Sequence, residues 1–209
     1  MKNFTLRIAL LLIATLSAFA SVWGQDLPPV VVKPPVTTLI SQPSLSDLAP
    51  TERFLSTEGA FFLSLPKSYD VAVPAPVPPG QQASGHNYVW KLREGVIIVG
   101  FMDFKDPNFD ASSDKGYADY IAGFKAGVIQ MSKATVTAER ALKLGKLRGH
   151  EFTFHMPSGQ TELARSFVAG KHTYALVAII SSEVAGARAL IEKAFDSFEL
   201  VDRSKAMLP

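Results

Sequence analysis

The stretch from residue 135 to residue 181 restricts the fold most, because it is typical of consecutive strands joined by very short turns. The four candidate strands cover about 135–144, 148–156, 160–169 and 172–181. Two of the connections contain Pro157-Ser158-Gly159 and Gly170-Lys171, where glycine supplies the positive φ that hairpin turns need. Connections this short force neighbouring strands to run antiparallel. The sequence therefore predicts an antiparallel meander in this half of the chain.

In two stretches, the spacing of the apolar residues changes from that of a strand to that of a helix. From about Lys115 the apolar residues fall three or four apart, which places them on one face of a helix. That face comprises Tyr117, Tyr120, Ile121, Phe124, Val128 and Met131. Ser112, Ser113 or Asp114 can supply the N-cap oxygen. A second helix is expected from about Glu183 to Phe195.

Earlier strands complete the predicted order β β β α β β β β α. They are expected at 59–66, 86–93 and 95–104, and a short extended tail at 198–201 closes the domain. Antiparallel strands with helices between and after them predict an α+β fold, an antiparallel sheet flanked by helices.

The first 24 residues are typical of a signal peptide. Lys2 and Arg7 precede an apolar run from Ile8 to about Ala20, which is shorter than the roughly 20 residues that cross a bilayer. Ala18-Phe19-Ala20 fits the small-x-small rule for cleavage, and Val22-Trp23-Gly24 offers a second site. The alternative is an uncleaved anchor. We therefore expect an exported protein, periplasmic or secreted.

A proline-rich stretch separates this leader from the folded domain. Residues 25–53 contain six prolines, and proline fixes φ and removes a backbone donor. We expect a tether here, either a disordered tail or a spacer that docks on a partner. The predicted domain spans 54–202, and 203–209 form a C-terminal tail. A second proline cluster at 73–80 is expected to be an exposed loop.

Composition excludes several functional classes. The chain contains no cysteine, so disulfides, thiolate nucleophiles and cysteine-based zinc sites are ruled out. Of 21 basic and 19 acidic residues, Lys2 and Arg7 lie in the leader, so the mature chain is nearly neutral. Such a balance does not favour binding to nucleic acid or to an anionic membrane. No later segment is apolar for long enough to span a membrane.

The loop at 106–114 offers the best candidate metal ligands, at Asp106, Asn108, Asp110 and Asp114. Their spacing resembles the start of an EF-hand loop, but Ala111 replaces the glycine of the sharp turn and Tyr117 replaces the closing glutamate. The alternative is a turn and helix N-cap whose acids favour the helix dipole.

The histidines and one possible ion pair are the other polar candidates. His150 and His155 differ by an odd number on one predicted strand, so they should point to opposite faces. His86 and His172 are expected to be surface or structural residues. The turn at 157–159 would place Glu151 opposite Arg165, either as an anchor in a cleft or as an exposed pair contributing well under about 1 kcal/mol.

Several segments together resemble a known family. A Gly-x-Phe strand ending at Pro66 comes first. A hairpin opens with Gly149-His150-Glu151-Phe152, two strands at 165–176 join at Gly170-Lys171, and a helix ends in Phe195-Asp196-Ser197-Phe198. Residues 54–202 are thus similar to the α/β/α sandwich superfamily of the photosystem II extrinsic protein PsbP. That superfamily includes Ran-binding Mog-type proteins and many exported bacterial proteins. The resemblance implies an accessory role in binding or assembly without cofactor chemistry.

No catalytic signature accompanies this resemblance. The sequence lacks G-x-S-x-G, a phosphate-binding P-loop, G-x-G-x-x-G and H-E-x-x-H. We therefore expect a non-enzymatic envelope module without cofactors that binds a protein partner or a small ligand. The alternatives are a hydrolase-type enzyme whose site is assembled only by folding, and a structural subunit that contributes a strand edge to an envelope assembly.

The leader makes a testable prediction. The protein isolated from its native cells should begin at Ser21, after cleavage behind Ala20, or at Gln25 after the second site. Ala20→Leu should abolish the first product, because signal peptidase requires a small side chain before the cut. Intact-mass spectrometry distinguishes the products. A wild-type chain that retains Lys2 and Arg7 would contradict the prediction.

Overall fold

The computed structural model describes residues 42–47, 52–66, 69–75, 82–106, 109–181 and 184–201. The predicted signal peptide, most of the predicted tether and the tail at 203–209 lie outside these residues. Within the described part of the chain, no helix is long and apolar enough to cross a membrane.

In the part of the chain that the structure describes, ten strands and two α-helices follow a short 3₁₀-helix at Leu45–Asp47. In chain order they are β1 (Phe54–Ser56), β2 (Phe61–Leu63), β3 (Val71–Pro74), β4 (Ala83–Leu92), β5 (Gly95–Phe104), α1 (Asp114–Ser132), β6 (Thr135–Leu144), β7 (Leu147–His155), β8 (Thr161–Ala169), β9 (His172–Ile180), α2 (Ala187–Asp196) and β10 (Glu199–Leu200).

The strands form two antiparallel sheets. The larger has seven strands in the order β3-β4-β5-β9-β8-β7-β6, and the smaller has the order β1-β2-β10. The four strands predicted at 135–181 are confirmed to within one residue at each end. Gly159 and Gly170, in the turns after β7 and β8, adopt φ of 85° and 64°. These positive φ angles are why glycine stands in both turns.

Both faces of the large sheet carry an apolar core. One core joins α1 to its face through Tyr120, Phe124, Phe152 and Val177. The other lies on the opposite face and joins α2 and the small sheet, with Phe61, Trp90, Leu176, Ile191 and Phe195 among its members. Because alternate residues of a strand point to opposite faces, each central strand contributes side chains to both cores. Tyr120 and Phe124 are buried, which confirms the predicted apolar face of α1 at these two positions.

Helix α1 begins as the sequence predicts. Ser113 is the N-cap, and its side chain accepts a hydrogen bond from the Gly116 backbone N–H at 3.1 Å. A Cβ at Gly116 would lie 1.6 Å from the carbonyl oxygen of Asp110, so only glycine fits there. The helix ends at Lys133, which adopts a left-handed conformation. Tyr117 and Met131 are half-buried at the borders of the apolar face.

Several predicted boundaries are wrong. Val73 and Pro74, predicted as the start of an exposed loop, belong to β3, and the strand predicted at 86–93 begins at Ala83. The single strand predicted at 59–66 is only Phe61–Leu63, because a turn at 57–60 with Ala60 at φ 52° reverses the chain after β1. Helix α2 starts at Ala187, behind Gly186 in a left-handed conformation, and not near Glu183, which lies outside the described residues. Part of the predicted tether also packs on the domain, since Leu45 is buried in the α2-side core.

This N-terminal segment is fixed to the turn between β4 and β5. The Arg93 backbone N–H donates to the Pro43 carbonyl at 3.0 Å. The buried Glu94 carboxylate accepts hydrogen bonds from the Ser44 hydroxyl and, at 3.3 Å, from the Leu45 backbone N–H. The domain thus begins before Phe54.

The predicted register of β7 and β8 is confirmed, with Glu151 opposite Arg165. The interpretation as an exposed pair is wrong: the side chains are 6% and 5% exposed, and Arg165 Nε donates to Glu151 Oε2 at 2.6 Å. Burial disfavours ionisation of Glu151, but hydrogen bonds from Arg140 and Arg165 outweigh it and lower the pKa of the carboxyl. Arg165 also donates to Asp196 at 2.6 Å, which joins the sheet to α2.

Glu162 is a further buried acidic residue and, unlike Glu151, it has no hydrogen-bond partner. Glu162 in β8 is paired with Phe154 on β7 and Ile179 on β9, and it therefore faces the α1-side core. It is 0% exposed, and neither carboxylate oxygen has a hydrogen-bond partner. Burial raises the pKa of the Glu162 carboxyl from 4.5 to about 7.

The Glu151–Arg165 pair gives a first stability prediction. Arg165→Met should lower the free energy of unfolding by about 3 kcal/mol, because it removes one of the two partners of a buried carboxylate. Arg140→Met is the control: its side chain is 60% exposed, so the loss should stay below about 1 kcal/mol. Urea unfolding at pH 7 measures both. Equal losses in the two variants would contradict the burial argument.

Glu162 gives a second prediction, on pH dependence. A pKa raised in the folded state means that stability is complete below pH 4.5 and falls as pH rises towards 7, where the buried group ionises. Relative to Glu162→Gln, the wild type should lose about 3 kcal/mol between pH 4.5 and pH 8. Urea unfolding of both proteins across this range tests it. A difference that stays constant with pH would refute the assignment.

Candidate functional site

Two adjoining surface depressions lie where the small sheet meets the β3–β4 side of the large sheet. The first has a volume of about 340 Å³ and includes Pro43, Glu52, Tyr69, Asp70 and Trp90 in its lining. The second, of about 270 Å³, includes Phe54, Leu55, Glu58, Tyr69, His86 and Tyr88. Tyr69 lines both. We call this continuous surface the Tyr69 groove.

Strand β4 positions the floor of the groove. His86, Tyr88 and Trp90 alternate along it and therefore share the face that carries the small sheet. The Trp90 indole Nε1 donates to the Pro66 carbonyl at 3.0 Å, which holds the end of the segment after β2 against β4. The Asp70 backbone N–H then donates to the Val89 carbonyl at 2.8 Å. These two bonds fix the chain on either side of Tyr69.

Tyr69 is the exposed member of an aromatic cluster. It is 41% exposed, whereas the three rings around it are buried. Its ring centroid lies 5.8 Å from Phe54, 5.1 Å from Tyr88 and 6.2 Å from Trp90, with edge-on or tilted geometry. Aromatic rings at these distances and angles attract one another. The cluster therefore holds an exposed aromatic ring in a defined position.

Polar groups of the groove are tied to their neighbours. His86 pairs with Glu58 at 2.6 Å, and the Asp70 carboxylate accepts from the Lys91 backbone N–H at 2.5 Å. The Tyr88 hydroxyl lies 3.1 Å from the Ser56 hydroxyl. Burial raises the pKa of Tyr88, so its phenol stays neutral at physiological pH.

The groove has an acidic lining. Four carboxylates contribute to it, from Asp47, Glu52, Glu58 and Asp70, together with one lysine and one histidine. Carboxylates beside aromatic faces favour cations, because the ring face is also electron-rich. The arrangement suits a ligand that combines apolar groups with positive charge.

The predicted metal candidates are placed apart from this groove. Asp110 accepts hydrogen bonds from the Ser112 hydroxyl and, at 3.0 Å, from the Ser112 N–H, and these bonds lower the pKa of Asp110. Asp114 is exposed and pairs with Arg148 at 2.8 Å. Asp106 lies before the helix, and Asn108 is outside the described residues. Among the described residues, no three His, Cys, Asp or Glu side chains are arranged to hold a metal ion.

The histidines are dispersed as the sequence predicts. His150 stacks on Phe152 at 4.7 Å on the α1 side, and burial lowers the pKa of its imidazole. His155 is exposed at the end of β7. His172 pairs with Asp103, and only His86 belongs to the Tyr69 groove.

Sequence reasoning missed the groove. Tyr69 follows a proline in a region without periodicity, and β1 and β3 are only three and four residues long. One signal was available: the aromatic alternation of His86, Tyr88 and Trp90 within the predicted strand at 86–93. Glu94 and Glu162, both fully buried, also carry no pattern that reveals burial of a charge.

The comparisons with known proteins concern the fold. No protein-family model and no curated protein matches this sequence. Among solved structures, the chain is similar to the Ran-binding protein Mog1p of Saccharomyces cerevisiae, at 14% identity and a TM-score of 0.38, over 73% of this chain and 96% of that one.

The chain is also similar to cyanobacterial PsbP (CyanoP) from Synechocystis sp. PCC 6803. The identity is 11% and the TM-score 0.52, and the match covers 81% of this chain and 98% of that one. At this identity the likeness concerns the fold alone. It confirms the resemblance to PsbP: the chain has a PsbP-like fold, and its described residues form antiparallel sheets with two helices.

Proposed function

We propose that the mature chain is an exported, non-enzymatic binding module that holds an extended segment of a protein partner in the Tyr69 groove. In this proposal the domain is an α/β/α sandwich, with α1 on one face of the large sheet and α2 with the small sheet on the other. The signal-peptide pattern of the first 24 residues supports export.

The exposure of Tyr69 carries the proposal. A tyrosine that is 41% exposed but held by three buried rings offers apolar area at little cost in conformational entropy. Aromatic anchors of this kind are enriched in protein interfaces. Leu55, also exposed and in the same groove, extends the apolar surface.

The shape of the groove favours an extended segment over a compact small ligand. The first depression, of about 340 Å³, lies at the lower end of the range of small-molecule pockets, which begins at roughly 300 Å³, and the second, of about 270 Å³, lies below it. Two such depressions joined at Tyr69 accommodate successive side chains of an extended chain instead. The four carboxylates of the lining favour a segment with lysine or arginine.

The contacts of the polar groups support a binding role over catalysis. Hydrolysis needs a nucleophile or activated water, a base and an oxyanion donor directed at one point. In the groove, His86 is engaged by Glu58, Tyr88 by Ser56, and Asp70 by the backbone of Lys91. These contacts hold the walls of the groove in place.

The sheet edges give less support to the alternative of a structural subunit. Strand β6 is a ten-residue edge, but it carries Glu139, Arg140 and Lys143 and a register shift between Val136 and Ala138. Charges and bulges are the features that discourage strand addition at an edge. The opposite edge, β3, ends in Pro74, which donates no hydrogen bond.

Site-specific photo-crosslinking tests the proposal. The photoreactive residue p-benzoylphenylalanine replaces Tyr69 in the full chain, which is irradiated in its native cells. We expect a discrete adduct of higher mass, whose crosslinked peptide, identified by mass spectrometry, is apolar and contains lysine or arginine. The aromatic replacement preserves a ring at the position, so the groove should keep its shape.

The matched control places the same residue at Ile129, which is also exposed but lies on α1. This position should give no such adduct. The same adducts from both positions, or none from position 69, would overturn the proposed site. The additional change Leu55→Ala should lower the yield from position 69 about threefold, because it removes apolar contact area.

A further inference from the structure

The chain itself leads into the Tyr69 groove. Pro43 and Ser44 belong to the lining of its first depression. They are held there by the bond from Arg93 to the Pro43 carbonyl and by the contact of Ser44 with buried Glu94. The described stretch therefore begins, at Gln42, directly beside the lining of the groove, and the residues upstream of Gln42 lie outside the described residues.

The composition of that segment matches the groove. Residues 28–36 read Pro-Pro-Val-Val-Val-Lys-Pro-Pro-Val, with Lys33 as the single charge. Prolines in pairs favour an extended polyproline conformation, which aromatic-lined grooves bind because little entropy is lost. Lys33 is complementary to the lining carboxylates of Asp47, Glu52, Glu58 and Asp70.

The length of chain permits this contact within one molecule. Residues 37–42 connect the segment to Pro43 and can span at most about 20 Å. Nine residues in polyproline conformation extend about 28 Å, enough to run along two adjoining depressions. A tether this short gives an effective concentration in the millimolar range, so even weak docking is populated.

We infer that residues 28–36 occupy the Tyr69 groove in cis, with Lys33 against its acidic lining, and that a protein partner has to displace them. The inference deepens the proposed function, on which the partner's use of the same groove rests. The N-terminal segment is then a built-in competitor that sets the apparent affinity for the partner.

Paramagnetic relaxation measured by NMR tests this in the full mature chain, residues 25–209. Since the chain has no cysteine, Val31→Cys creates a single attachment site for a nitroxide label. We expect selective broadening of the amide signals of Tyr69 and Tyr88 and of the Trp90 indole. Lys33→Glu or Tyr69→Ala in the labelled chain should reduce this broadening severalfold.

The control label is attached through Lys143→Cys on β6, the opposite edge of the large sheet. It should leave the groove signals sharp. Broadening from position 31 that is no stronger at the groove than on other surfaces would overturn the inference, as would broadening that neither Lys33→Glu nor Tyr69→Ala reduces.

The experiments distinguish failure of partner binding at the groove from failure of the occupancy in cis. If the label at position 31 leaves the groove signals sharp while the probe at position 69 still captures a partner, only the occupancy in cis is wrong. If the label broadens the groove signals but the probe crosslinks only to residues 28–36, even after Lys33→Glu, the partner is wrong and the occupancy stands. When both hold, Lys33→Glu should raise the yield of partner adduct severalfold.

Discussion

Coverage of both faces of the seven-stranded sheet is the constraint on which the structure depends. The central strands β5, β8 and β9 are buried along most of their length on both faces, so each needs apolar neighbours above and below. Helix α1 supplies one cover, and α2 together with the small sheet supplies the other. Burial on both sides is also why Glu151 needs its two arginines, while Glu162, without a partner, has its ionisation suppressed.

The position of the Tyr69 groove follows from where the cover on the α2 face of the large sheet ends. On the α2 face the helix packs near the centre of the sheet, and β1 and β2 take over towards β4. Strands β1 and β2 have only three residues each, and they cover the rings of β4 but leave a cleft beside the edge strand β3. The cleft is lined by the same aromatic side chains that form the core behind it, and this continuity keeps Tyr69 in position.

The sequence allowed accurate prediction wherever local rules decide. The strands of the meander and their register, including Glu151 opposite Arg165, follow from alternation and from turns that require glycine. Side-chain chemistry narrowed the N-cap to Ser112, Ser113 or Asp114, and the N-cap is Ser113. Whether the Glu151–Arg165 pair is buried depends on where α2 packs, which no local pattern encodes. The position of Tyr69 likewise depends on three short segments meeting, and each alone is too short to carry a periodic signal.

Pairing in the small sheet ties the two ends of the domain together. Strand β2 lies between β1 and β10, with Phe62 opposite Glu199, so a strand near the start of the domain finds its second neighbour only in the last strand. During synthesis from the N-terminus, Phe61 and Leu63 therefore stay without their full cover until the final residues have emerged. Closure over such a sequence separation is slow. Closure of the small sheet is thus delayed until β10 has been synthesised, so the core around Phe61 and Leu63 is among the last parts of the domain to be completed.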